Sequence, residues 1–467
     1  MKRTESYLVI ITCCVLLFSN QLQAQFITTT EKIYWEKQPS IEPVNYSDSP
    51  DIIIDTNKIQ QTIEGFGSCF NELGWESLSL LSAKDREGIM KELFSPEIGA
   101  NFVLCRMPIG ANDFALDWYS YNETENDFEM KNFSIKNDKK TLIPFIKNAQ
   151  KYYPDLRIWA SPWCPPSWMK YNKHYASSSA DNNGLPEDRQ GFEGTDMFIQ
   201  EDSYLKAYAL YFSKFIDAYK TEGINIFAVM PQNEFNSAQI FPSCCWTAKG
   251  LANFIGEYLG PAMDEKGVEV MFGTMERPNE LLVDTIMTNS ASKDFITGIG
   301  FQWAGKDALP KLYKKYSGIK LYQTEQECGD GKNNWEGAMY SWDLMKHYLN
   351  HGITGYMYWN TSLMQGGISR WGWAQNSLVV VNEDGSFVYT PEYYVMKHAS
   401  HFVMPGAKKI ELEGLYNDAL AFVNPDKSIA VIICNKSENA KLLTIKVNNQ
   451  VYTPSLKANS LSTLLVK

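Results

Sequence analysis

Histidine is scarce: the 467 residues hold five. None sits in a His-Glu-x-x-His arrangement or beside a Cys-x-x-Cys pair, so two common signatures of a zinc site are missing. His347 and His351 share the four-residue spacing of a helix face, and the expectation for them is a surface helix, not a metal. Cysteine is sparse as well, with nine residues. Cys13 and Cys14 fall in the N-terminal apolar run. The other seven are scattered and odd in number, which is not a disulfide framework. No Gly-x-x-x-x-Gly-Lys loop occurs, and no Gly-x-Gly-x-x-Gly opens a helix, so neither a nucleotide cofactor nor a metal is expected. Basic residues are also in deficit. Against 54 Asp and Glu stand 43 Lys and Arg, a net charge of -11. A general nucleic-acid binder carries the opposite balance. Beyond the first twenty or so residues no apolar run approaches the length of a membrane span.

What remains is a globular chain rich in aromatic rings. Hydrophobic residues make up 44% and charged residues 21%, which excludes wholesale disorder and coiled coil. The 13 Trp and 26 Tyr suit stacking on sugar faces, although cores use such rings too. The N-terminus has the form of an export leader. Lys2 and Arg3 are followed by the apolar stretch Tyr7 to Phe18, then by Leu22-Gln23-Ala24 as a cleavage site. Residues 1–24 are therefore expected to be removed, with a mature start near Gln25 and a secreted or periplasmic destination. Ile10-Ile11-Thr12 before the cysteine pair is a poor lipobox, which argues against a lipid anchor.

Between residues 57 and 403 short apolar runs alternate with amphipathic stretches. The runs are Gly65–Phe70, Phe102–Pro108, Arg157–Trp163, Ile224–Glu234, Val268–Met275, Ile296–Trp303, Ile319–Glu325 and Ile353–Asn360. Buried parallel strands read this way. The intervening stretches are helical, with a capping box at Ser82-Ala83-Lys84-Asp85 and long periods over Leu205–Lys220, Thr247–Lys266 and Trp335–Leu349. Eight strand–helix units predict a (β/α)8 barrel. Residues 25–56 and 404–467 read instead as strands divided by turns, and predict a side β-sandwich domain built from both termini.

Barrel enzymes carry their reactive groups at the C-terminal ends of the strands. The fourth run ends in Asn233-Glu234 and the seventh in Thr324-Glu325, on opposite sides of the mouth. Two facing carboxyls are what glycosidic cleavage requires: one protonates the leaving oxygen and the other attacks the anomeric carbon or activates water. Glu327 is a second candidate on the seventh run. Residues two apart share a face of a strand, but Glu327 lies about 6–7 Å further along an extended chain. That distance favours Glu325.

On these residues the chain resembles glycoside hydrolase family 30, which includes glucosylceramidase and microbial β-1,6-glucanases. The likeness runs through Gln61-Thr62-Ile63-Glu64-Gly65-Phe66-Gly67, Arg106-Met107-Pro108-Ile109-Gly110, Asn112-Asp113-Phe114, Ala160-Ser161-Pro162-Trp163, Asn233-Glu234, Thr324-Glu325 and Trp359-Asn360. It implies a retaining β-glycosidase without cofactor, with Glu234 as acid/base and Glu325 as nucleophile. It implies further that Asp113 and Trp163 hold the −1 sugar, that Asn233 binds its 2-hydroxyl, and that Trp359 is a sugar platform. Gln302-Trp303 departs from the histidine–tryptophan pair of glucosylceramidase, so hydrogen bonding near the nucleophile should differ. Trp303 is expected to bind substrate outside the −1 position, together with the Trp371 and Trp373 loop. The expected partner is a β-glucoside, as for glucosylceramidase, or a β-glucan attacked internally by a β-1,6-glucanase. A non-catalytic glycan-binding protein on the same barrel is the rival from another class. Specificity is expected to lie in the loops at 171–200, 236–246 and 362–375.

Overall fold

A computed structural model describes residues 23–44 and 49–467. The expected leader falls outside the described residues except for Gln23 and Ala24. Eight parallel strands close into a barrel: β1 (Gly65–Cys69), β2 (Leu104–Pro108), β3 (Arg157–Ser161), β4 (Ile226–Val229), β5 (Glu269–Met275), β6 (Ile296–Gln302), β7 (Lys320–Glu325) and β8 (Gly355–Asn360). They neighbour one another in chain order, and β8 pairs with β1. Nearly every strand residue is buried, as a sheet covered by an outer ring of helices demands.

The helices begin where side chains can satisfy their free N–H groups. Ser82 Oγ accepts from the Asp85 N–H at 3.1 Å and opens the helix Ala83–Phe94. Thr247, Asn334 and Thr390 cap the helices at Ala248, Trp335 and Pro391 in the same way. Helix Asp202–Thr221 stops just before Gly223, whose φ of 79° an L side chain rarely adopts. The stretch expected as one helix over Thr247–Lys266 is interrupted by a wider π turn at Ile255–Leu259. Gly256 and Gly260 lie close against Ala291 and Phe295 there, with no room for a Cβ.

The side domain is a nine-stranded sheet drawn from both ends of the chain. Its order is Glu36–Ile41, Ala24–Thr30, Ser460–Val466, Ile429–Asn435, Ala419–Val423, Lys408–Glu413, Ile52–Thr62, Ile445–Val447 and Gln450–Tyr452. Ala24, assigned to the leader from sequence, opens the second of these strands. Ile429–Asn435 is buried at every position because both of its faces are covered. Val431 and Ile433 join a core with Ile52, Ile54, Ile410 and Leu464. The alternate residues Ala430, Ile432 and Cys434 join the barrel core. The period of two thus fixes the side domain against the barrel. The seven cysteines among the described residues are free and buried. No helix among the described residues is long and apolar enough to cross a membrane.

Gly67 makes the closest approach in the barrel wall. A Cβ built on it would lie 1.9 Å from the Leu104 carbonyl oxygen of β2. Gly67→Ala should therefore push β1 from β2 and destabilise the fold by about 1–3 kcal/mol, read as a lower midpoint in urea. An unchanged midpoint would show that the contact relaxes without cost.

Candidate active site

The C-terminal ends of the strands surround a cavity of about 340 Å³, within the size range of small-molecule sites. Asp113, Trp163, Asn233, Glu234, Trp303 and Glu325 line it. Six of the seven residues singled out from sequence therefore line one cavity. The seventh, Trp359, is fully covered. Its ring stacks on Trp163 with centroids 5.1 Å apart, one layer behind the surface a ligand would meet.

The centre of the site is a residue that the sequence did not single out. Arg106 on β2 has no solvent exposure. Its Nη1 donates to Glu325 Oε2 at 2.9 Å, and its Nη2 donates to Asn233 Oδ1 at 2.6 Å and Ser161 Oγ at 2.9 Å. The guanidinium lies 4.3, 5.0 and 5.5 Å from the ring centres of Trp163, Trp159 and Trp359, in cation–π contact. Trp359 thus helps to box the arginine. The signal available in the sequence was a lone cation inside the run Leu-Cys-Arg-Met-Pro, because an unpaired charge is not buried in a barrel strand.

Asn233 Oδ1 also accepts from Thr274 Oγ1 at 3.1 Å and Gln302 Nε2 at 3.2 Å. An arginine can only donate, so the oxygen must face Arg106. The Nδ2 amide is left as the donor on a residue that lines the cavity. Gln302 Nε2 donates in addition to Glu234 Oε1 at 3.1 Å, and its Oε1 accepts from Thr324 Oγ1 at 2.9 Å. The departure at Gln302 is therefore a link between the two glutamates. Trp303 Nε1 donates to Glu325 Oε1 at 3.1 Å, so its contact in this structure is with the nucleophile candidate. Glu325 has both oxygens held.

Two backbones at the site are strained. Glu234 has φ of 44° and Trp303 has φ of 46°, each a conformation costing about 1–3 kcal/mol for such residues. The Glu234 N–H donates to Thr274 Oγ1 at 2.8 Å, and the Asn233 N–H to the Pro162 carbonyl at 2.7 Å. These bonds hold the turn that places Glu234 at the cavity.

The charges follow from this geometry. Burial raises both glutamates above the ordinary carboxylate range. Arg106, Trp303 and Gln302 oppose the rise at Glu325. At Glu234 no arginine makes direct contact; the charge of Glu325 adds to its burial, and Gln302, Arg277 and Arg106 oppose the rise, which leaves it at about 7. Asp113 is pushed well above its usual value by burial, then by Glu325 and Glu234, and its Oδ1 has no partner. Glu327 also lines the cavity, but it is paired: Lys306 Nζ lies 2.8 Å from its Oε1, and Tyr340 donates to its Oε2 at 2.7 Å.

The loops named from sequence form the rim. Lys170 Nζ donates to the carbonyls of Tyr175, Ala176 and Ser243 at 3.0, 3.1 and 2.6 Å, tying 171–200 to 236–246. The third loop divides its two tryptophans. Trp373 is 42% exposed and lines the cavity, whereas Trp371 is 4% exposed and packs on Trp118 with centroids 4.8 Å apart. The aromatic surface expected of both belongs to Trp373 alone.

Comparison with known proteins agrees with this fold. The model of the glycosyl hydrolase family 30 TIM-barrel domain matches residues 63–403, and that of the family 30 beta sandwich domain matches residues 406–464. Putative glucosylceramidase 1 of Caenorhabditis elegans is 32% identical, over 82% of this chain and 75% of that one. Endo-1,6-beta-D-glucanase neg1 of Aspergillus fumigatus is 26% identical, over 86% of this chain and 85% of its own. Among solved structures, SrfJ of Salmonella typhimurium superposes with a TM-score of 0.85 at 22% identity, over 96% of this chain and 100% of that one.

A general acid works only while protonated. With Glu234 near 7 in the free protein, kcat/KM should hold below that pH and fall as pH rises through it. Glu234→Gln should remove that limb and cost about 10²–10⁴-fold on a poor leaving group. An unchanged alkaline limb in the variant would assign the proton to another group.

Proposed function

The chain belongs to glycosyl hydrolase family 30, and on that premise we propose that it hydrolyses β-linked glucosides with retention, by double displacement through Glu325. The observation that carries this reading is the unequal treatment of the two glutamates. Glu325 lies against the Arg106 guanidinium and the Trp303 N–H, which favours the charged nucleophile. Glu234 has neither contact and is raised to about 7, which suits a proton donor.

In the first step Glu325 attacks the anomeric carbon and Glu234 protonates the departing oxygen. Ester formation removes the charge on Glu325. The pKa of Glu234 then drops, and the same group takes a proton from the incoming water. The unpartnered Asp113 Oδ1 accepts sugar hydroxyls, and the free amide of Asn233 donates to the 2-hydroxyl. Trp163 offers its face to the ring. Glu327 takes no part, since Lys306 and Tyr340 occupy it. We read the enzyme as exported, secreted or periplasmic, on the strength of the leader alone.

A second reading, endo-action on a β-1,6-glucan, is favoured by Trp373, whose exposed ring stands at the cavity 6.4 Å from Phe241. An extended glycan would use such a surface, as would any large apolar group on the leaving side. The relatives that match include both glucosylceramidases and endo-1,6-beta-glucanases.

Proton NMR of the earliest product separates mechanisms before mutarotation blurs them. The β-anomer should appear first. Early α-anomer would require carboxyls about 6.5–9.5 Å apart with a water between them, and would remove the nucleophile's role from Glu325.

A further inference from the structure

One acid on the cavity wall is unused by this chemistry. Glu276 follows β5 directly and lines the cavity beside Glu234, Ser237 and Arg277. It is 1% exposed, and neither carboxyl oxygen has a hydrogen-bond partner. The nearest cation is Arg277, whose Nη1 stays 3.9 Å from Oε1, beyond hydrogen-bond reach. Arg277 is bonded to other groups, with Nε donating to Glu193 Oε1 at 2.5 Å and Nη2 to Ser237 Oγ at 3.5 Å. An acid so deeply covered with neither oxygen bonded is costly unless a ligand completes it.

Its place gives the side of the bond it serves. Asp113 lies on the loop after β2. Glu276 directly follows β5, which pairs with β4, the strand that leads to Glu234. The sugar that reacts sits over Glu325. Glu234 stands at the bridging oxygen, so the neighbouring strand faces the departing group. Burial, with Glu234 beside it, holds the carboxyl of Glu276 well above its ordinary range. A neutral carboxyl offers one donor and one acceptor, the complement of a hydroxyl-bearing group. Gln239 and Ser237 add polar atoms to the same wall, with Gln239 Nε2 donating to Ser237 Oγ at 2.7 Å.

We propose that Glu276 is a specificity-determining residue that binds the hydroxyls of a carbohydrate leaving group through its two unbonded carboxyl oxygens. The inference rests on the glucosidase reading above and names the class of leaving group for that site. It distinguishes a sugar, with several hydroxyls near the cleaved bond, from an aryl group, which has none to offer.

The test compares two substrates in one set of proteins: gentiobiose, whose leaving group is glucose, and 4-nitrophenyl β-glucoside. The readout is the ratio of their kcat/KM values, which a global folding defect does not move. Glu276→Leu removes both hydrogen bonds and should lower the disaccharide-to-aryl ratio about tenfold or more. Glu276→Gln is neutral, with one donor group and one acceptor, and should restore most of that ratio. A Leu variant that loses activity equally on both substrates would place Glu276 in support of Glu234 and overturn the proposal. A Gln variant as impaired in the ratio as Leu would show that a carboxylate is needed, and would overturn it too. Inactivity of the wild-type protein on both substrates would overturn the glucosidase reading, and this inference with it.

Discussion

The site depends on one buried ion pair, Arg106 with Glu325. A guanidinium without solvent contact is stable only if its charge and its N–H groups are met inside the protein. Here they are met by Glu325, Asn233, Ser161 and the Thr324 carbonyl, with indole faces around them. Such a pair adds little to stability when compared with apolar packing. Its contribution is positional. It holds the ends of β2, β3, β4 and β7 in one arrangement and opposes the rise that burial imposes on the Glu325 carboxyl.

Everything else at the cavity is arranged around that charge. Gln302 carries the network from Asn233 to Glu234, and Thr274 fixes the backbone turn of Glu234. The left-handed conformations of Glu234 and Trp303 fall on a residue whose carboxyl lines the cavity and one whose indole N–H meets Glu325. Strain of this kind persists where surrounding contacts over-determine it, and both residues are enclosed by such contacts. The barrel supplies the rigid ring of strand ends, and the loops at 171–200, 236–246 and 362–375 supply a rim tied by Lys170 and by the Arg277–Glu193 pair.

The barrel was legible because parallel strands buried on both faces must be short apolar runs. The bounds were less so. Ile224–Glu234 shrinks to Ile226–Val229 because Pro231 has no N–H to give the ladder and Glu234 turns into the left-handed region. The π turn at Ile255–Leu259 was hidden, since a widened helix keeps nearly the same apolar period. At the site, glutamates that end apolar runs were visible as exceptions to the pattern. Arg106 was visible in the same sense, but its partners Asn233 and Glu325 lie 127 and 219 residues away, and no local pattern records a contact of that range. Trp359 and Trp371 show the opposite difficulty. A tryptophan at a strand end or in a rim loop has the same letter whether its face meets a sugar, an arginine or another indole.

The central claim is that Arg106 and Trp303 hold Glu325 as the nucleophile while Glu234 carries the proton. It is tested most directly by trapping the covalent intermediate with 2-deoxy-2-fluoro-β-glucosyl fluoride, whose fluorine at C2 slows hydrolysis of the ester. Peptide mass mapping should then find one fluoroglucosyl group, on Glu325. A label on Glu327, or on any other residue while Glu325 stays free, would contradict the account.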